Sequence, residues 1–184
     1  MKGNCRMFSV RHILISLLFL AVPSLAISAE PPLQFSHTPF KPRIAAPAMT
    51  LKDMDGQTLE LAKLRGKVVI VNFWATWCPP CRREFPSMER LRQKLADKPL
   101  VILGVNEGET VDIIDQFIST LDLQPRFPIL LDFEGDAMAT WPVRGLPTTF
   151  FIDKHGRLAY RAIGGREFDH PEMVRLIEDM LKEK

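Results

Sequence analysis

Residues Val68 to Met88 read VVIVNFWATWCPPCRREFPSM, and the reading of this stretch decides the fold. Val68 to Trp74 is an apolar run of strand length that leads through a short turn into a helical pattern. Cys78 and Cys81 stand at the start of that helix. A thiolate there faces unpaired backbone N–H groups and the positive end of the helix dipole. Both favour the charged form, and reactive cysteines in such positions titrate at roughly 3.5–7.5 rather than ~8.5. Chain direction therefore makes Cys78 the nucleophile and Cys81 the resolving thiol.

Two residues between cysteines at a helix start bring the sulfurs within bonding reach, so the pair can cycle between dithiol and disulfide. Pro79 and Pro80 suit the first helical turn, where a missing N–H costs nothing. A purely structural disulfide closing so short a loop would stabilise little. A zinc half-site would need a second pair of ligands, and the chain has three cysteines in all. Redox chemistry is the reading that uses every feature of the stretch.

The segment Phe73-Trp74-Ala75-Thr76-Trp77-Cys78-Pro79-Pro80-Cys81 resembles the active site of the thioredoxin superfamily. Within it, the chain is similar to the extracytoplasmic TlpA/ResA/DsbE-type thiol–disulfide oxidoreductases, over roughly Pro47 to Lys184. The resemblance implies a thioredoxin-like fold of the α/β class: three layers, α/β/α, around a central mixed sheet, with an N-terminal β-hairpin and a central insertion. Its specificity comes from the tryptophan before the first cysteine and the apolar strand before that.

At 184 residues, 46% hydrophobic and 25% charged, the composition is that of one ordinary globular domain with an appendage. Residues 1–29 are the appendage. Lys2, Arg6 and Arg11 precede the apolar run Ile13 to Val22, Pro23 breaks it, and small residues follow through Ala29, the pattern of a signal peptide. Cleavage fits after Ala26 or Ala29; retained, residues 13–29 would be a borderline membrane anchor. Cys5 is an incidental leader residue. Removing the leader takes the formal net charge from +2 to −1 and leaves one dithiol with no odd thiol. The basic balance thus belongs to targeting and gives no support for nucleic-acid binding.

Residues 30–46, with Pro31, Pro32, Pro39 and Pro42, read as a Pro-rich tether, and residues 47–184 as the domain. Met49 to Leu61 alternates apolar and polar residues about Asp55-Gly56, which predicts a hairpin. Phe85, Met88, Leu91 and Leu95 mark the buried side of the helix after Cys81; Arg82, Arg83, Glu89, Arg90 and Lys94 are expected on its solvated side. Leu100 to Val105 reads as a buried parallel strand, Thr110 to Leu121 as a helix and Phe127 to Leu131 as a strand. Two strands around Lys154 to Arg157 predict an antiparallel hairpin at the sheet edge, and Pro171 to Leu181 a last helix. His37 in the tether and His155 in a turn are expected to be solvated and inert.

The segment Gly145-Leu146-Pro147-Thr148-Thr149-Phe150 looks like the superfamily's cis-proline loop, which the resemblance places against the cysteines. There Leu146 would pair with a substrate strand, and Trp77 would add apolar contact. Trp74, Pro79 and Pro80 are expected to support the site. Where relatives carry a buried acid two residues before the tryptophan, this chain has Asn72. Glu84 matches the glutamate of the ResA-type Cys-x-x-Cys-x-x-Glu motif. One turn from Cys81, it would raise the thiol pKa values and serve as base for the buried sulfur.

The resemblance implies a reductase of extracytoplasmic client disulfides, with apocytochrome c the typical client and a DsbD/CcdA-like membrane thiol donor to restore the dithiol. The Cys78–Cys81 pair would be the redox group, with no further cofactor and no metal. Two readings compete: an oxidant or isomerase of exported proteins, and a non-enzymatic dithiol module holding Cu(I).

Overall fold

All seven residues of the strand Val68–Trp74 (β4) are buried. A strand can be apolar throughout only if both faces of its sheet are covered, and β4 lies in the middle of one. On one side it pairs in parallel with Leu100–Glu107 (β5), Val68 opposite Leu100 and Trp74 opposite Asn106. On the other it pairs antiparallel with Thr148–Ile152 (β7), Asn72 opposite Thr149 and Phe73 opposite Thr148. The computed structural model describes residues 32–34 and 36–184; the signal sequence or anchor expected over 1–29, with Cys5, lies outside the described residues.

Among the described residues, eight strands form one mixed sheet. In chain order the others are Thr38–Ala45 (β1), Thr50–Asp53 (β2), Thr58–Glu60 (β3), Ile129–Asp132 (β6) and Arg157–Ile163 (β8), and the spatial order is β1-β8-β7-β4-β5-β6-β2-β3. The helices are Pro79–Lys94 (α1), Val111–Ile118 (α2), Asp136–Thr140 (α3) and Pro171–Lys182 (α4). Val68, Ile70 and Trp74 face one apolar layer built with Phe85, Met88 and Leu91 of α1, Ile114 and Phe117 of α2, and Met173 and Ile177 of α4. Val69, Val71 and Phe73 face the other, closed by Leu61, Ala137, Trp141 and Phe150. The alternation along β4 assigns each side chain its layer. The α/β/α arrangement with a mixed sheet is therefore as expected, and the β2–β3 hairpin joins the sheet through β6. Among the described residues no helix is long and apolar enough to cross a membrane.

Three expectations are corrected. Thr38–Ala45 is no tether: it is strand β1, antiparallel to β8. Pro39 and Pro42 disguise it, yet proline is tolerated in an edge strand, and the register shifts between Pro39 and Ile44. The β7–β8 hairpin is consequently not at the sheet edge, because β1 covers β8. Glu89 is not on a solvated helix face; it is fully buried. Its carboxylate accepts from Arg92 Nε and Nη2, from Gln93 Nε2 at 3.0 Å and from Arg126 N at 2.9 Å.

Candidate active site

Cys78 is the N-cap of α1, with extended backbone (φ −93°, ψ 105°), and Pro79 and Pro80 occupy the first two helical positions. The turn that delivers it is closed by Cys78 N–H donating to Ala75 O at 3.2 Å. Cys78 and Cys81 are joined as a disulfide with 5.3 Å between their Cα atoms. Cys78 keeps 4% of its surface exposed and Cys81 none. Of the two residues, only Cys78 keeps any surface in contact with solvent.

Trp77, 67% exposed, stands immediately before Cys78. The Leu146–Pro147 bond is cis. Because Phe73 pairs with Thr148, the 145–147 loop arrives at the end of β4 from which the cysteine turn springs. Gly164 N–H donates to Pro147 O at 2.8 Å, and Thr148 Oγ1 donates to Gly145 O at 2.6 Å. Trp74 does not reach the surface: it is buried against Phe85, 4.2 Å between ring centroids, and anchors the end of β4 to α1.

Glu84 is fully buried one helical turn beyond Cys81. Residues three apart on a helix have Cβ atoms about 5–6 Å apart. Its Oε1 accepts from Asn72 Nδ2 at 2.7 Å and its Oε2 from Arg166 N at 2.9 Å. Asn72 Nδ2 also donates to Thr149 Oγ1 at 2.9 Å, across the β4–β7 pair. Burial pushes the carboxyl up to about 8; the Arg166 N–H, the Asn72 amide and the Arg166 charge pull against it without prevailing. So strand β4 presents an amide here, and the acid comes from the helix into its reach.

Two groups escaped the sequence reading. Glu109 accepts from Thr76 N at 2.7 Å, from Thr76 Oγ1 at 2.5 Å and from Asn106 Nδ2 at 2.7 Å, fixing the turn two residues before Cys78. A signal was present: Asn106 lies near the C-terminal end of the parallel strand β5 and Glu109 just beyond it, where sites in such sheets gather. Arg166 gave none. His37 stands edge-on to Tyr160 and His155 Nε2 lies 3.0 Å from Lys184 O, neither among the groups around the disulfide. Among the described residues no three His, Cys, Asp or Glu side chains converge as a metal cluster would require.

A strand–turn–helix carrying a cysteine pair, on a mixed sheet, is matched by the AhpC/TSA family description over residues 42–161. The chain belongs to the AhpC/TSA family. It is 38% identical to the thiol-disulfide oxidoreductase ResA of Bacillus cereus (strain ZK / E33L) over 119 residues, 65% of this chain and 68% of that one. To the ResA of Halalkalibacterium halodurans it is 37% identical over 132 residues, 72% of each. A crystal structure from Chlorobium tepidum, provisionally assigned as thiol:disulfide interchange protein DsbE, superposes with a TM-score of 0.69 at 29% identity, covering 76% of this chain and 96% of that one. Cys78 and Cys81 thus belong to a thiol–disulfide oxidoreductase of the ResA/DsbE type within the thioredoxin superfamily, one whose substrates carry disulfides.

Proposed function

We propose that this chain is an exported reductase of disulfides in client proteins, with Cys78 as nucleophile, Cys81 as resolving thiol and Glu84 as the base that serves it. The observation that carries this is Glu84, a carboxyl buried one turn from a buried sulfur and pushed up to about 8. A base must have a pKa near the working pH, and a thiol of ~8.5 needs such an acceptor. The same acid speaks for direction. A dithiol becomes a strong oxidant when its reduced form is stabilised; an acid beside the pair opposes the thiolate and favours the disulfide instead.

The reaction balances within the pair. Cys78 thiolate attacks one sulfur of the client disulfide, forming a mixed disulfide and releasing the client's other sulfur as thiolate. Glu84 takes the Cys81 proton, and the Cys81 thiolate attacks Cys78 Sγ, expelling the second client sulfur. Two electrons pass to the client and the enzyme is left as the disulfide. Trp77, Leu146 and cis Pro147 offer the apolar contact for the client strand, while Asn72, Trp74, Pro79 and Pro80 hold the reacting groups in place. A membrane dithiol donor of the DsbD/CcdA kind would restore the dithiol, and no cofactor beyond the pair enters. The leader pattern of residues 1–29, cleaved or kept as an anchor over 13–29, supports an extracytoplasmic site of action, with apocytochrome c as the client class.

The reduction potential of the Cys78–Cys81 couple tests the direction. A value near or below about −270 mV is expected; one near −120 mV would mark an oxidant and sink the reading. Trapping with Cys81→Ser in intact cells then identifies the client. Stoichiometric Cu(I) binding without thiol exchange would replace the enzyme by a metal-holding module.

A further inference from the structure

Leu33, Gln34 and Ser36, distant in sequence from the cysteines, lie beside the loop that packs on the active-site helix. Gln34 N–H donates to Gly165 O at 3.0 Å and Glu167 N–H donates to Gln34 O at 2.9 Å, a parallel bridge of Gln34 with Arg166. Gly165 fills the space beneath it. A Cβ there would stand 2.6 Å from Leu33 Cδ2 and 3.0 Å from Pro80 O, so one glycine separates this segment from a residue between the two cysteines.

Arg166 connects the two sides. Its side chain is buried, 3% exposed, and all its acceptors are neutral. Nε donates to Ser36 O at 2.8 Å, Nη2 to Ile163 O at 2.7 Å, and Nη1 to Gly165 O at 3.1 Å and Gln34 Oε1 at 3.4 Å. Its main chain turns the other way, N–H to Glu84 Oε2 and O accepting from Ser87 Oγ at 3.3 Å. Desolvation lowers the affinity of this guanidinium for its proton, and the charge of Glu84 opposes that loss. Glu84 is thus faced by Asn72 from β4, by the N–H and the charge of Arg166 from the loop after β8, and on its own helix by the cysteine pair.

The geometry points to Arg166 as a positioning residue, latched by Gln34 and Ser36, that holds Glu84 in its ionisable setting. This rests on the assignment of Glu84 as the base. While the segment is docked, the N–H of residue 166 points at Oε2 and its charge stays out of water, where it adds to the N–H in favouring the carboxylate, as the smaller of the two effects. When the segment leaves, Ser36 O and Gln34 go with it, the guanidinium gains water, and Glu84 keeps its proton to higher pH. The stretch that follows the leader therefore sets how readily the second thiol is deprotonated.

The test uses the full chain. Gln34→Pro deletes the N–H donor to Gly165 O together with the Oε1 that accepts from Arg166, and leaves Arg166 and the cysteines themselves in place; Arg166→Met deletes the guanidinium. In the oxidised protein, the infrared C=O band of the protonated carboxyl, assigned by its loss in Glu84→Gln, reports Glu84 without any exchange chemistry. Both variants are expected to move its titration midpoint up by about one pH unit, leaving roughly tenfold less carboxylate at neutral pH. Arg166→Lys, with the charge kept and the fork lost, falls between. A midpoint unmoved in Gln34→Pro overturns the latch, whether or not Arg166→Met folds. An equal shift of the thiol-exchange pH profile with Glu84 already replaced by Gln overturns it as well. A band that moves while the exchange profile of these variants, with Glu84 intact, stays at its wild-type position upholds the latch and removes Glu84 as the base.

Discussion

Helix α1 buries two glutamates five residues apart, Glu84 and Glu89, and they behave in opposite ways. Both are fully buried and both accept several hydrogen bonds. Glu84 receives its bonds from neutral groups, a side-chain amide and a backbone N–H, and burial pushes it up to about 8. For Glu89 burial pushes the same way, but the Arg92 fork, the Arg126 N–H and the Gln93 amide outweigh it and hold the carboxyl below its usual value. Burial alone therefore does not make a base. A buried carboxyl becomes exchangeable near neutral pH when its partners hydrogen-bond it without directly neutralising it, and becomes a structural anion when a guanidinium grips it.

The sharpest way to break this contrast is to remove each carboxyl in turn. Glu84→Gln is expected to slow disulfide exchange at pH 7–8 by on the order of 10²-fold or more, the usual worth of a general base. It should also change stability with pH in a definite sense. A carboxyl pushed up to about 8 from 4.5 makes the folded chain bind more protons than the unfolded one between those values. Its contribution is therefore full below about pH 4.5 and is lost as pH rises through 8, by roughly 3–5 kcal/mol. Urea titrations at pH 5 and pH 9 should show that fall in the wild type and a flatter profile in Glu84→Gln. No difference between the two profiles would erase the distinction.

Glu89→Gln should do the reverse: exchange kinetics unchanged, and stability at pH 7 reduced by roughly 2 kcal/mol, because the Arg92 fork and the Arg126 N–H lose a charged acceptor. The held-down carboxyl contributes stability above its unfolded pKa, lost as pH falls through the lower folded value. A slowed exchange in this variant would mean that the two glutamates are not separate in role. Arg92→Met tests the cause. Without the fork Glu89 should move upward, at a cost of about 1 kcal/mol, seen as a new protonated-carboxyl band near neutral pH. The smallest effect on the fold is expected at Trp77. Exposed as it is, Trp77→Ala should change stability by less than about 0.5 kcal/mol while raising the KM for a protein client several-fold.

What was legible in the sequence follows from distance along the chain. The strand, the turn, the two cysteines and the helix are neighbours, so their geometry is set by local rules, and the pairing of the cysteines was readable. The spacing of Glu84 from Cys81 was readable for the same reason. Its depth was not, because Asn72 and Arg166 reach it from 12 residues before and 82 residues after. Glu89 was misread on similar grounds: a charge on a helix is expected in water, and the loop N–H of Arg126 that receives it lies 37 residues on. The prolines of β1 carried a correct local statement, that the segment cannot pair on both sides, which leaves an edge strand as well as a tether.

That edge has a use in a protein whose substrates carry disulfides. Its outermost strands are β1, interrupted by Pro39 and Pro42 and bearing Lys41 and Arg43, and β3, three residues long. Neither gives an incoming polypeptide a long flat row of free amides on which to add itself as a ninth strand. Visitors are turned away from the rims of the sheet and left to engage at the sulfur.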